Sequence, residues 1–378
     1  MKKITRILFF VTIPLICLGE PQSDEEIDRL INFHTFNAEW TIADSLLDAQ
    51  IAKYPDSPKY YALKSPFYFY TRYFNNGVLN GDSLMELVAQ YSQKAIDTGE
   101  KSEMTIDDKF FVGSAYGYLA RYYGRQGEFW DAYWAARSTR RCLNDVLEEN
   151  PEYADAYMEL AVMEYFTSRM GGFYRFLAWM VGMAGERDTA LEQFHTVADK
   201  GHWCKDEAQF ALSTIYRFFE NIPQQAQSMT TILVDKFPDN PFLENQDRQL
   251  RFLSLIEEKG IEFLSTEFDS LETKYSVTNP GILNGFGYTL IGQNRLEEAI
   301  EVFKINIRLY PDIANGYDSI SEAYLITGNT EMAIHYSRLC LQKIAADSTL
   351  NDVFRELLNN TSEERLEELG AKTEKLNI

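Results

Sequence analysis

The 378-residue sequence predicts an all-α solenoid of stacked helix pairs, and three observations predict it. The first is self-similarity. Asn284, Phe286, Gly287, Leu290, Ala299, Phe303 and Pro311 recur as Asp318, Ile320, Ser321, Tyr324, Ala333, Ser337 and Ala345, each offset by 34. A fixed offset of this length marks a helix–turn–helix repeat. The second is the size pattern within the repeat. Gly287 and Ser321, then Ala299 and Ala333, are small where a neighbouring helix must come close, while Phe286, Leu290 and Phe303 fill the space between helices. The third is that no segment alternates as a strand would.

The elements follow in order. Residues 1–19 stand apart: Lys2, Lys3 and Arg6 precede an apolar run from Ile7 to Leu18, and Gly19 offers a small residue at a cleavage position. This reads as a secretory signal peptide, too short to span a membrane comfortably. Cys17 admits a lipoprotein reading, which the bulky Ile16 before it disfavours. Cleavage would take three positive charges and no acids, moving the formal charge from −21 to −21 − 3 = −24.

From Asp24 to Ser57 a first repeat places Ala43, Leu47 and Pro55 where Ala299, Phe303 and Pro311 sit, each earlier by 256. Pro58 suits the first turn of the next helix, which runs to Phe74 and is dense in aromatics. Its partner spans Ser83 to Thr98, followed by a polar loop to Asp107. The segment from Lys109 to Pro151 is a clear repeat whose second helix runs seven residues longer than expected, or two turns, so its apolar face is kept. The fourth repeat, from Ala154 to Lys200, is interrupted by an apolar insertion over 168–185, centred on Gly171 to Gly185. Glu207 to Asn240 is a fifth repeat with one extra residue near Asn221. Glu244 to Thr278 is helical with a turn at Gly260, and Pro280 to Asp347 supplies the two clean repeats. Residues 348–378 are expected to hold two capping helices, Leu350–Leu358 and Ser362–Leu369, and a tail. The chain thus divides into a signal (1–19) and one solenoid (20–378), with N-terminal and middle repeats to 240 and C-terminal repeats over 241–347.

On these residues the chain resembles the tetratricopeptide repeat (TPR) family over about four-fifths of its mature length. The resemblance implies a right-handed superhelix of about eight TPR-like pairs. The stretch Gly-Tyr-Asp-Ser-Ile-Ser-Glu-Ala-Tyr at 316–324 is similar to TPR tails of bacterial extracytoplasmic proteins. The middle of the chain looks like an exported bacterial TPR family, distantly similar to the mitochondrial inclusion-clearance TPR family. The implied work is holding a protein or peptide in a concave groove, in the periplasm or at the outer membrane. The residues expected to line that groove are Tyr70, Arg121, Arg125, Tyr165, Asn284, Tyr288 and Asp318. A chaperone-type carboxylate clamp is not expected, because no Lys–Asn pairing recurs at the inward positions.

Composition narrows the chemistry. With 57 acidic and 36 basic residues, the chain lacks the basic excess that a nucleic-acid backbone needs. It carries no Gly-x-Ser-x-Gly, no phosphate-binding glycine loop and no His-Glu-x-x-His, so it reads as non-catalytic and without a cofactor. His195, His202 and Cys204 are close in sequence, but their spacing fits no standard metal site. Cys142, Cys204 and Cys340 are odd in number and read as fillers of small apolar gaps. Arg121 and Arg125 share a helix face; they could receive an anionic group, but pairing with internal acids is the favoured expectation. The insertion side chains Phe173, Phe176, Trp179 and Met180 are expected either to plug the groove or to dock a partner or membrane surface. With the aromatic helix at 60–73, the insertion also offers a second function, as walls for a small apolar or lipid-like ligand.

Overall fold

The computed structural model describes residues 23–75, 77–101, 103–169, 171, 185–277 and 279–371. Residues 1–19 and the insertion side chains Phe173, Phe176, Trp179 and Met180 lie outside them. The described residues hold 17 α-helices and no strand. The first pair is α1 (Asp24–Phe36) with α2 (Trp40–Lys53), and the second is α3 (Pro58–Phe74) with α4 (Gly81–Gly99). The third is α5 (Ile106–Gln126) with α6 (Phe129–Glu149), and the fourth is α7 (Tyr157–Ser168) with α8 (Arg187–Lys200). Then come α9 (Lys205–Phe218) with α10 (Pro223–Lys236), and α11 (Pro241–Lys259) with α12 (Ile261–Tyr275). The last pairs are α13 (Pro280–Gly292) with α14 (Leu296–Leu309), and α15 (Ala314–Ile326) with α16 (Thr330–Ile344), capped by α17 (Asp352–Glu368). Each helix packs mainly on its chain neighbours, as a solenoid requires. The eight pairs match the expected repeats, and the insertion falls inside the fourth.

Local chemistry sets the boundaries. Proline opens α3, α10, α11 and α13, where its missing N–H is harmless. Asn240, Asn279, Asn329 and Asn351 cap α11, α13, α16 and α17 through their side-chain oxygens. Helix α5 starts earlier than expected, because Thr105 and Asp108 form a reciprocal capping box inside what reads as polar loop. Gly127 and Gly260 take φ of 78° and 89°, which lets the chain reverse without Cβ strain.

Between pair members the contacts are those the periodicity predicts. A side chain on Gly287 would run into the Phe303 ring. In the next repeat the same two positions are Ser321 and Ser337, whose hydroxyls lie 2.8 Å apart. Ser65 with Ser92 repeats this polar contact between α3 and α4, at 2.9 Å. Cys142, Cys204 and Cys340 are free and buried.

The C-terminus differs from expectation: α17 is one continuous helix, not two. The stretch Asn359-Asn360-Thr361-Ser362 has no glycine or proline to stop it. Asn359 and Thr361 instead donate back to the Arg355 and Leu358 carbonyls of the same helix.

The first pair also does more than cap one end. It folds onto the fifth and sixth pairs, where Phe36 stacks on Phe237 with ring centroids 5.4 Å apart. Asn240 donates to the Phe36 carbonyl at 2.7 Å. Asn37 reaches Asp239 at 3.2 Å, and Asn32 reaches Asp206 at 2.6 Å.

Candidate functional site

The residues expected to line a groove lie on the first helices of the pairs, and the two halves of the chain use them differently. From α3 to α9 these helices are joined by the protein's own side chains. Arg121 on α5 meets Glu159 on α7 through two bonds of 2.9 Å, one to each carboxylate oxygen. Room for this carboxylate comes from Gly117, where any Cβ would strike it. The guanidinium lies over the Tyr118 ring, 4.5 Å from its centroid. Tyr118 in turn donates to Glu207 on α9, and Tyr70 on α3 shares that carboxylate. Four successive first helices are thus tied along the axis by one buried polar network.

Burial dominates the ionisation here. It pushes the Glu207 carboxyl up to about 7, with the negative Glu159 adding to the effect and Tyr118 and Arg121 opposing it. Burial likewise raises Glu159, against the pull of Arg121. At the closure, Asp28 is raised by burial despite its 2.5 Å contact with Lys59, and its Oδ1 has no hydrogen-bond partner.

Tyr70 and Tyr165, expected to line an open groove, are core residues. Tyr70 packs against Phe36, Phe74 and Phe210. Tyr165 donates to Glu220 at 2.5 Å. Burial pushes Glu220 up, but hydrogen bonds from Arg187 and Tyr165 outweigh it and hold the carboxyl below its ordinary value. Both arginines have internal partners, as favoured: Arg121 has Glu159, and Arg125 has Asp82 at 3.0 Å. The aromatic helix α3 is spent in the same way. Tyr60, Phe67, Tyr70 and Phe74 are buried, and the cleft beside them holds about 60 Å³. A lipid-like ligand needs several hundred Å³, on the order of 300 or more. Helix α3 therefore offers no wall of a ligand-sized cavity, while the insertion, the other wall expected, lies outside the described residues.

The C-terminal half is more open. Tyr288 on α13 is exposed and donates to Glu322 on α15 at 2.7 Å, 34 residues on. One turn back, Asn284 is half-buried and its Oδ1 is unpaired. Asp318 is covered, because Arg365 on α17 donates to it at 2.8 Å. Of this group Tyr288 is exposed, while Asn284, whose Oδ1 is buried, and Glu322 are half-buried.

No group of three or more His, Cys, Asp or Glu among the described residues is placed to hold a metal. His195 bonds Tyr216 at 2.8 Å, while the backbone N–H groups of His202, Trp203 and Cys204 all donate to Asp155. This Asp155 carboxylate at the start of α9, like Glu159 and Glu207, escaped sequence reading. The only trace in the sequence is acids set among apolar positions of first helices.

No protein-family model matches the chain, and no curated protein matches it. Among solved structures it is similar to the P58(IPK) TPR domain, at 14% identity over 92% of this chain and 99% of that one, with TM-score 0.25. It is similar to a human IFIT1 dimer with PPP-AAAA at 14% identity, covering 82% and 69%, with TM-score 0.30. It is also similar to the APC/C hetero-tetramer Cut9–Hcn1 at 11% identity, covering 92% and 72%, with TM-score 0.26. The description of this chain as a TPR-type solenoid rests on its own 34-residue register and paired helices.

Proposed function

We propose that the protein is an exported, non-catalytic scaffold that holds a protein or peptide along the concave face of its C-terminal pairs. The observation that carries this is the contrast between the two halves. The N-terminal first helices are tied together by the protein's own side chains, whereas Tyr288 stays exposed with the half-buried Glu322 carboxylate as its partner. The Glu322 carboxylate, with Tyr288 on one oxygen, suits a peptide N–H or a basic side chain. Export rests on the charged and apolar start of the sequence. Affinity purification from envelope extract, with the wild type beside Tyr288→Ala/Glu322→Ala, tests the groove. The reading expects a partner retained by the wild type and lost by the variant. An unchanged set of partners refutes it. N-terminal sequencing from native cells tests export: a start at Glu20 or a lipid-modified Cys17 supports it, and an intact Met1 refutes it.

A further inference from the structure

Helix α6 buries Ala135, Thr139, Cys142, Leu143 and Val146 against its partner and presents a different chemistry on the opposite side. Trp130, Trp134, Arg137 and Arg141 recur at helical spacing along one line, all exposed. Trp130 is 75% exposed and Trp134 56%, and Phe129 beside them is 76% exposed. Large aromatics this open are unusual on a folded surface, and three within six residues make a patch that marks an interaction site.

The length of α6 explains why none of the described helices covers this line. Helices α5 and α6 have 21 residues each, about 31 Å, while α7 has 12, about 18 Å. The first turns of α6 therefore extend past the next pair. Local charge runs against the rest of the protein. Residues 129–141 hold three arginines and one acid, Asp131, a balance of +2 in a chain of −21. Arg137 lies against Trp134, with its guanidinium 5.6 Å from the ring centroid.

We infer that this stripe docks on the surface of an anionic lipid bilayer. Aromatic rings at the headgroup level with arginine beside them are the chemistry of an interfacial helix. The surroundings favour a bilayer over a protein pocket. Two contacts bring the turn ends of the second to fifth pairs onto one edge. The Arg125–Asp82 pair joins the α5 end to the start of α4, and Tyr165–Glu220 joins the α7 end to the α9 end. Along this edge Tyr73, Val78, Phe166 and Phe218 are also exposed. Separate apolar points spread over four pairs fit a broad, soft surface better than the single pocket of a protein partner. Contact is peripheral, since no helix of the described residues is long and apolar enough to cross a membrane.

Co-sedimentation of the full chain with vesicles tests this, using phosphatidylcholine alone and mixed with phosphatidylglycerol. The wild type is expected to partition onto the mixed vesicles, less so as salt rises, with a blue shift of tryptophan emission. Trp130→Ser/Trp134→Ser and Arg137→Gln/Arg141→Gln are each expected to lower partitioning by on the order of tenfold at unchanged melting temperature. Residues 1–19 are common to all three proteins, so their own affinity cancels. Equal partitioning of wild type and both variants overturns the proposal. So does a wild type that ignores phosphatidylglycerol but self-associates through the tryptophans in sedimentation velocity, which would assign the stripe to a second copy.

Discussion

Arg121 and Glu159 face each other in a two-bond pair, 2.9 Å at each contact, across the third and fourth helix pairs. The carboxylate is almost wholly buried, so its charge is tolerable only with that guanidinium in place. Arg121→Met should therefore cost about 3–5 kcal/mol in urea unfolding, since it strands a buried charge. Arg121→Met/Glu159→Leu should recover most of the loss. A single variant as stable as the wild type would show that the pair is not what secures these helices.

Glu207 sets a pH dependence. Its carboxyl is pushed up to about 7 from an ordinary 4.5, so the folded protein holds a proton there that the unfolded chain releases. The folded state binds more protons between these values, so stability must fall as pH rises from about 4.5 through 7. The loss is on the order of 2–3 kcal/mol. Glu207→Gln should remove this slope and be the more stable protein at pH above 7, as read by urea midpoints across pH. A Glu207→Gln profile that parallels the wild type would refute the assignment.

Gly287 and Phe303 are matched by size. Gly287→Ala should force the ring aside and lower stability by about 1–3 kcal/mol. Ala introduced together with Phe303→Leu should be milder than Ala alone, because the smaller side chain yields the space. Thermal melts of the two variants decide this.

Asn240 has two duties. Its Oδ1 caps α11 at Phe242 and Leu243, and its Nδ2 holds the Phe36 carbonyl. Asn240→Asp should keep the cap and lose the long-range bond, whereas Asn240→Ala loses both. Hydrogen exchange in α1 should quicken in both variants, and in α11 chiefly with alanine. Unaltered protection in α1 would mean that the closure does not depend on this bond.

The repeat arithmetic made the helix pairs legible, down to the contact at Gly287, because that contact joins neighbours at a fixed spacing. Contacts between pairs far apart in the chain leave no such period. Phe36 against Phe237 looks, in sequence, like any other repeat aromatic. The same blindness applies to Tyr70 and Tyr165, whose burial comes from partners such as Phe36, Phe210 and Glu220 that lie outside their own helix pair. The α17 helix was divided in two because Asn359 to Ser362 has loop-like composition, whose bonding back to the helix shows only in three dimensions. The α6 stripe was visible in part, as a long helix with extra turns, but which of its faces stays open depends on the short α7 beside it.

The closure of the first pair also sets a schedule. The bond from Asn240 to Phe36 spans 204 residues. At synthesis rates of about 5–20 residues per second, roughly 10–40 s separate Phe36 from the partner of its carbonyl, Asn240, although Tyr70 and Phe74 reach its ring much sooner. Through that interval the opening helices, unlike those of a repeat array that finishes each unit as it emerges, have the second pair on Phe36 but still lack Phe237, Asp239 and Asn240 from the fifth pair and the start of the sixth.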